Sequence, residues 1–173
     1  MLRHAAGALA VIRPATLGDA AAIAAVYAPH VLTGTASFET EPPDAEEMAT
    51  RLARVLDKGW PWLVWDEGGA ILGYAYAAQF RDRAAYRRTC ENSIYVAKGA
   101  ERRGIGAALI AALCDAARAA GFAEMIAVIG DGDGNLASIG LHRAAGFDDA
   151  GRLRNVGLKF GTLLDVAYMQ KSL

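Results

Sequence analysis

Little in this chain of 173 residues invites metal or disulfide chemistry. It has two cysteines, Cys90 and Cys114, with no CxxC or Cys/His spacing for zinc, so both read as buried thiols. Asp131-Gly132-Asp133-Gly134 superficially suggests a calcium loop, but the twelfth position counted from Asp131 is His142 where glutamate would close the ion's shell. No metal is expected. An excess of charge of one sign is also missing, since 18 Lys and Arg stand against 19 Asp and Glu for a formal net charge of −1. A nucleic-acid binder normally carries a basic surface excess, so that class is set aside and a small-molecule partner is expected. Although 54% of the residues are apolar, no run reaches the length of about 20 that spans a bilayer. Met1 to Ala10 has no convincing signal-peptide core. No membrane partner is expected, and a cytoplasmic enzyme is the simplest home.

The length suits one domain, taken as residues 9–173 after a short extension over residues 1–8. Leu9 to Arg13 reads as a first strand, and Thr16-Leu17-Gly18-Asp19 has the form of a capping box ahead of a helix with Ile23, Val26, Tyr27 and Val31 on its apolar stripe. His30 and Gly34-Thr35 mark its end. Adjacent Pro42-Pro43 imply an exposed loop, after which Asp44 and Glu47 cap a second helix that buries Met48, Leu52, Val55 and Leu56. Trp62 to Trp65 and Ile71 to Phe80 are strands joined by the hairpin composition Glu67-Gly68-Gly69. Met125 to Ile129 is a buried strand, the glycine-rich stretch from Gly130 to Asn135 a flexible loop, and Asn135 to Ala145 a short helix. Phe147 to Val156 and Leu158 to Gln170 close the chain as two strands.

The stretch from Ile94 to Ala120 organises the rest. Ile94-Tyr95-Val96 reads as a strand, and Ile105, Leu109, Ala112, Leu113 and Ala116 recur on one helical face. Between them, Glu101-Arg102-Arg103-Gly104-Ile105-Gly106-Ala107 lets the backbone turn tightly and bring N–H groups to a ligand at the positive end of a helix, with Lys98, Arg102 and Arg103 at the rim. A diphosphate suits such a loop, although Gly-x-Gly before a helix is also found as a plain tight turn. A P-loop needs Lys-Ser or Lys-Thr where Ala107-Ala108 stands, and a dinucleotide fingerprint needs a third glycine where Leu109 stands.

The loop resembles the pyrophosphate loop of the GNAT superfamily of N-acetyltransferases, with Glu101 where that family usually has Gln or Arg. Asn135-Leu136-Ala137-Ser138-Ile139-Gly140-Leu141-His142, followed by Gly146-Phe147, resembles the superfamily's second acyl-CoA motif, with His142 in place of the usual tyrosine. A narrower similarity runs from Val11 to Leu173. Ser37-Phe38-Glu39-Thr40-Glu41-Pro42, Pro61-Trp62-Leu63-Val64, Ala85-Tyr86, Ser93-Ile94-Tyr95-Val96, Ala127-Val128-Ile129-Gly130 and the tail from Gly157 to Val166 look like the phosphinothricin N-acetyltransferase branch. Leu163 stands where many relatives carry tryptophan.

The resemblance implies an α/β fold (α+β in connectivity), with a mixed, mostly antiparallel sheet of about seven strands flanked by helices and splayed for acetyl-CoA. It also implies a homodimer and transfer of acetyl to the amine of phosphinothricin, methionine sulfoximine or methionine sulfone. The alternatives are another small amine, a protein N-terminus, or a catalytically idle acetyl-CoA-binding module. The cofactor is assigned to Tyr95, Val96, Arg102, Arg103, Gly104, Ile105, Gly106, Ala107 and Asn135, although Asn135 reads equally as a helix N-cap. Arg81, Arg83 and Tyr86, from the basic and aromatic run Phe80 to Arg88, are expected with Phe38 and Lys159 to hold the acceptor. A guanidinium fork suits its carboxylate, and a solvated basic loop is the plain alternative. Glu91 and His142 compete as proton carriers: the branch has a glutamate proposed as general base at Glu91, and the superfamily's thiolate-protonating tyrosine falls at His142.

Overall fold

A computed structural model describes residues 9–173; the extension expected over residues 1–8 lies outside them. Strand β1 (Ala10–Pro14) ends where the capping box forms. The Asp19 carboxylate accepts from the Thr16 N–H at 2.8 Å and the Thr16 hydroxyl at 3.0 Å, while Arg13 grips both of its oxygens at 2.8 Å. One 3-10 turn then feeds α1 (Ala20–Leu32). Asp44 starts α2 (Ala45–Leu56) by accepting the Glu47 N–H at 2.9 Å, which satisfies one of the helix's orphan donors.

Strands β2 (Trp62–Glu67) and β3 (Ala70–Gln79) form the expected hairpin, with positive φ at both Gly68 and Gly69. Strand β4 (Thr89–Val96) then leads through the glycine loop to α3 (Ile105–Ala119), followed by β5 (Glu124–Gly130), α4 (Leu136–Ala144), β6 (Asp148–Lys159) and β7 (Thr162–Ser172). The strands make one seven-stranded sheet in the order β1-β2-β3-β4-β5-β7-β6, antiparallel except for the β4–β5 pair. The expected mixed, mostly antiparallel α/β architecture is therefore the one observed.

Each face of the sheet carries its own core. Helix α3 lays Ile105, Leu109 and Leu113 over Cys90, Met125, Ala127 and Ile129, while α1 and α2 pack Ile23, Val31, Met48 and Leu52 against Trp62, Val64 and Tyr74 on the other side. Burying each such large aliphatic side chain is worth about 1.5–3 kcal/mol. Side chains alternate along β4, so Cys90, Asn92, Ile94 and Val96 face α3 and α4, whereas Glu91, Ser93 and Tyr95 face α1 and α2. Burial raises the Cys90 thiol pKa to about 12, in keeping with an inert core residue.

Three boundaries differ from the sequence reading. Strand β4 starts at Thr89 rather than Ile94, because pairing with both neighbours recruits the polar run Thr89-Cys90-Glu91-Asn92-Ser93. The last turn falls at Phe160-Gly161, both at positive φ, and Asn155 at φ 57 makes a bulge inside β6 instead of ending the strand. The loop after β5 is clasped rather than loose, since the Thr35 hydroxyl donates to Asp131 and Arg152 pairs with Asp133. Gly130 itself ends β5, and a Cβ there would collide with the Ala36 carbonyl.

Candidate functional site

The parallel ladder between β4 and β5 pairs Thr89 to Asn92 with Glu124 to Ala127 and stops there. Both strands continue, so a gap opens between Ser93–Val96 and Val128–Gly130. The Ala97 N–H donates to the Leu72 carbonyl at 2.9 Å. Because donors alternate sides in an antiparallel pair, the Ile94 and Val96 N–H groups face away from β3 and into the gap, without a strand partner. The gap widens into a cleft of about 440 Å³, lined by both strand ends, the 104–107 turn and α4, a size ordinary for small-molecule sites.

At the cleft mouth the glycine loop is built as expected. Gly104 has φ 81, a left-handed conformation that a β-branched residue resists, and it precedes the first turn of α3 with no side-chain cap. The N–H groups of Ile105, Gly106 and Ala107 therefore lack intrahelical acceptors and converge at the positive end of the helix. Gly106 has a second role: a Cβ there would lie 3.4 Å from Leu141, and so the glycine brings α3 close to α4. The rim cations divide. Arg102 lines the cleft, but Arg103 is drawn to Glu67 at 2.6 Å and Lys98 to the Thr33 hydroxyl at 2.6 Å. Glu101 accepts the Gly99 N–H at 2.7 Å; hydrogen bonds from its own and Gly99's backbone hold its carboxyl below the ordinary range.

The two expected proton carriers lie on opposite faces of the sheet. Glu91 faces α1 and α2, with its carboxylate 3.9 Å from Arg81; desolvation raises its pKa, and Arg81 pulls the other way. His142 lies on the α4 side, 2% exposed, with Nδ1 2.8 Å from the Ser138 carbonyl and Nε2 3.0 Å from the Asn92 side chain. Desolvation lowers its pKa. Asn135 caps α4, accepting the Ser138 N–H at 3.3 Å and donating to the Gly130 carbonyl at 3.4 Å, and it also lines the cleft. Tyr95 turns its ring into the α1-side core, 4.7 Å from Tyr27, and the same register points its N–H and C=O at Tyr74 of β3, so it lines the gap without offering a free hydrogen-bonding group.

The expected acceptor residues fall into two groups. Arg81 stacks 4.1 Å over Phe80, whose other neighbour is Tyr86 at 5.7 Å; Arg81, Arg83 and Tyr86 are all exposed, and of the three Arg81 is the one that reaches Glu91. Phe38 packs its ring against Gly157 and Gly130, where any Cβ would clash. Lys159 is buried and donates to the Ser37 carbonyl at 2.6 Å, with desolvation lowering its pKa. It braces the Phe38 loop from behind rather than lining the cleft. Four polar cleft residues were not assigned from the sequence: Asn92, Ser93, Ser138 and His30. His30 donates from Nε2 to the Val96 carbonyl at 2.8 Å, with its ring 5.2 Å from Tyr95. A lone histidine in the last turn of a helix signalled only where that helix ends.

Known proteins share this arrangement. The model of the acetyltransferase (GNAT) domain matches residues 12–167. A phosphinothricin N-acetyltransferase of Alcaligenes faecalis is 50% identical over 155 residues, covering 90% of this chain and 78% of that one. An L-methionine sulfoximine/L-methionine sulfone acetyltransferase of Pseudomonas aeruginosa is 39% identical, over 95% of each chain. The crystal structure of a phosphinothricin acetyltransferase from Sinorhizobium meliloti in complex with acetyl-CoA superposes with a TM-score of 0.90 at 44% identity, covering 95% of this chain and 88% of that one. With the glycine loop, the open β4–β5 gap and a family match spanning nearly all the described residues, this chain belongs to the GNAT acetyltransferases.

Proposed function

We propose that the chain is an acetyl-CoA-dependent N-acetyltransferase acting on phosphinothricin-like amino acids: phosphinothricin, methionine sulfoximine and methionine sulfone. The observation that carries this reading is the gap itself, whose N–H groups at Ile94 and Val96 have no strand partner, set between an uncapped helix end on one side and Glu91 with Arg81 on the other. The diphosphate of acetyl-CoA fits the N–H groups of residues 104–107, and its extended arm fits the free edge of β4 as a strand would.

In this arrangement the acceptor approaches from the α1–α2 face. Arg81 and Arg83 receive its carboxylate, and Tyr86 and Phe38 bound its side chain. Glu91 removes the ammonium proton, the amine attacks the thioester carbonyl, and the Val96 N–H stabilises the oxyanion before the C–S bond breaks. A single preorganised donor of this kind is worth about 3 kcal/mol. An idle binding module would keep the loop and the gap but would gain nothing from a desolvated carboxylate beside an arginine.

The enzyme is placed in the cytoplasm, where acetyl-CoA is available, and it acts as a homodimer. The β6–β7 hairpin exposes Leu153, Val156, Leu158, Phe160 and Leu163, and Leu158 pairs directly with Leu163, an exposed apolar pair suited to a second copy.

Thiol release from acetyl-CoA across a panel of amino acids, amines and short peptides tests the reading. Turnover should be highest with phosphinothricin and the two methionine derivatives. Release driven only by peptide N-termini would shift the assignment to a protein acetyltransferase, and release by none would leave a binding module.

A further inference from the structure

Asn92 is the last β4 residue paired with β5, and the gap begins at the next residue. On its face of the sheet it is the polar member of an otherwise apolar row, 6% exposed, and its side chain meets His142 from α4. The charge state of this contact follows from its surroundings. The Ser138 carbonyl has only lone pairs to offer, so the Nδ1 of His142, 2.8 Å away, carries a proton. Among the described residues no carboxylate is bonded to the ring; its other neighbours are the Ser138 hydroxyl at 3.4 Å and the edge-on ring of Phe147 at 5.0 Å. A second proton would place an unpaired charge in a buried site, so the ring is neutral and Nε2 holds a lone pair.

The amide of Asn92 has two orientations against that nitrogen. With Oδ1 toward the ring, two acceptors face each other at 3.0 Å and Nδ2 is a buried donor without a partner. Turned by half a rotation, Nδ2 donates one N–H to Nε2, which removes the clash of acceptors and leaves one N–H and the amide oxygen unpaired in place of two orphaned N–H donors. Nε2 has a single lone pair, and Asn92 then occupies it.

We propose that the Asn92–His142 contact is a neutral pin that sets where β4 and β5 part. In it, Asn92 donates to Nε2 and His142 donates from Nδ1 to Ser138, and this fixes the acetyl-donor cleft instead of carrying a proton. Asn92 and His142 are positioning residues in this assignment, and proton removal is left to Glu91 on the opposite face. The inference rests on the reading of the gap as the acetyl-CoA site, but its first test does not.

Long-range ¹⁵N–¹H spectra of the wild-type protein at neutral pH should show His142 as the neutral Nδ1–H tautomer, with Nε2 shifted as a hydrogen-bond acceptor. An imidazolium or an Nε2–H tautomer would overturn the proposal whatever the enzyme acetylates. Asn92→Leu, similar in size but without polar atoms, should then raise KM for acetyl-CoA tenfold or more and lower kcat less than threefold, with His142 losing its single tautomer in the spectrum. A kcat loss of a hundredfold at unchanged KM would mean that the pair relays protons, and would also overturn it. If Asn92→Leu does not fold, the wild-type spectrum still decides. Failure of the substrate screen would sink the enzymatic reading without moving the tautomer.

Discussion

A carboxylate serves as a base near neutrality when its surroundings let it hold a proton more tightly than water does. Glu91 meets that condition, because desolvation raises its pKa above the ordinary 4.5 while Arg81 moderates the rise without cancelling it. The base form is lost as pH falls through this raised value, so the acidic limb of kcat/KM should lie above the normal carboxylate range. Glu91→Gln should lower kcat by about 10² to 10⁴ and abolish that limb, leaving acetyl-CoA affinity intact. Near-normal kcat with an unmoved limb would exclude Glu91 as the base. At this scale the sequence was informative wherever chemistry is local. Gly104 declared its turn, and Asp44 and Asn135 declared their caps. It was silent where a partner lies far along the chain: Asn92 and His142 are 50 residues apart, and nothing near Arg103 announced that Glu67 would claim its guanidinium.

The elements were mostly legible because hydrophobic period and punctuation agree. Asp44, the stripe from Met48 to Val55 and the stop after Leu56 delimit α2 without help from tertiary structure. Strand β4 was only half visible, since polar residues in its first half pair on both edges and sequence alone cannot see edges. The turn between β6 and β7 was misplaced for a related reason: Gly157 invites a break, but its lack of a Cβ serves the ring of Phe38, and the true turn uses Phe160-Gly161. The same hairpin carries the proposed subunit contact. Leu158→Asp puts a charge into the exposed Leu158–Leu163 pair without touching the core, so sedimentation velocity should show wild-type dimers and Leu158→Asp monomers that remain folded. A wild-type monomer at micromolar concentration would remove the hairpin as an interface.

For the whole molecule, the decisive feature is that one sheet is both closed and open. Ladder pairing holds β4 to β5 as far as Asn92 and Ala127, beyond which the two strands diverge; the face under α3 and α4 carries the uncapped helix end and the Asn92–His142 contact, and the face under α1 and α2 carries Glu91 of β4 with Arg81 beside it. Neither the strand order nor the gap is written in local sequence. The likeness of the whole chain to a known family pointed to the gap, while the strand order and the separation of Glu91 and His142 onto opposite faces emerged only from the register. Every role proposed for these residues depends on acetyl-CoA binding in the β4–β5 gap. Amide hydrogen exchange, read residue by residue with and without acetyl-CoA, measures this directly, because unpaired N–H groups exchange fast until a ligand accepts from them. Exchange at Ile94, Val96 and residues 105–107 should slow at least tenfold on adding acetyl-CoA. Unchanged exchange there, or protection confined to another surface, would contradict the account.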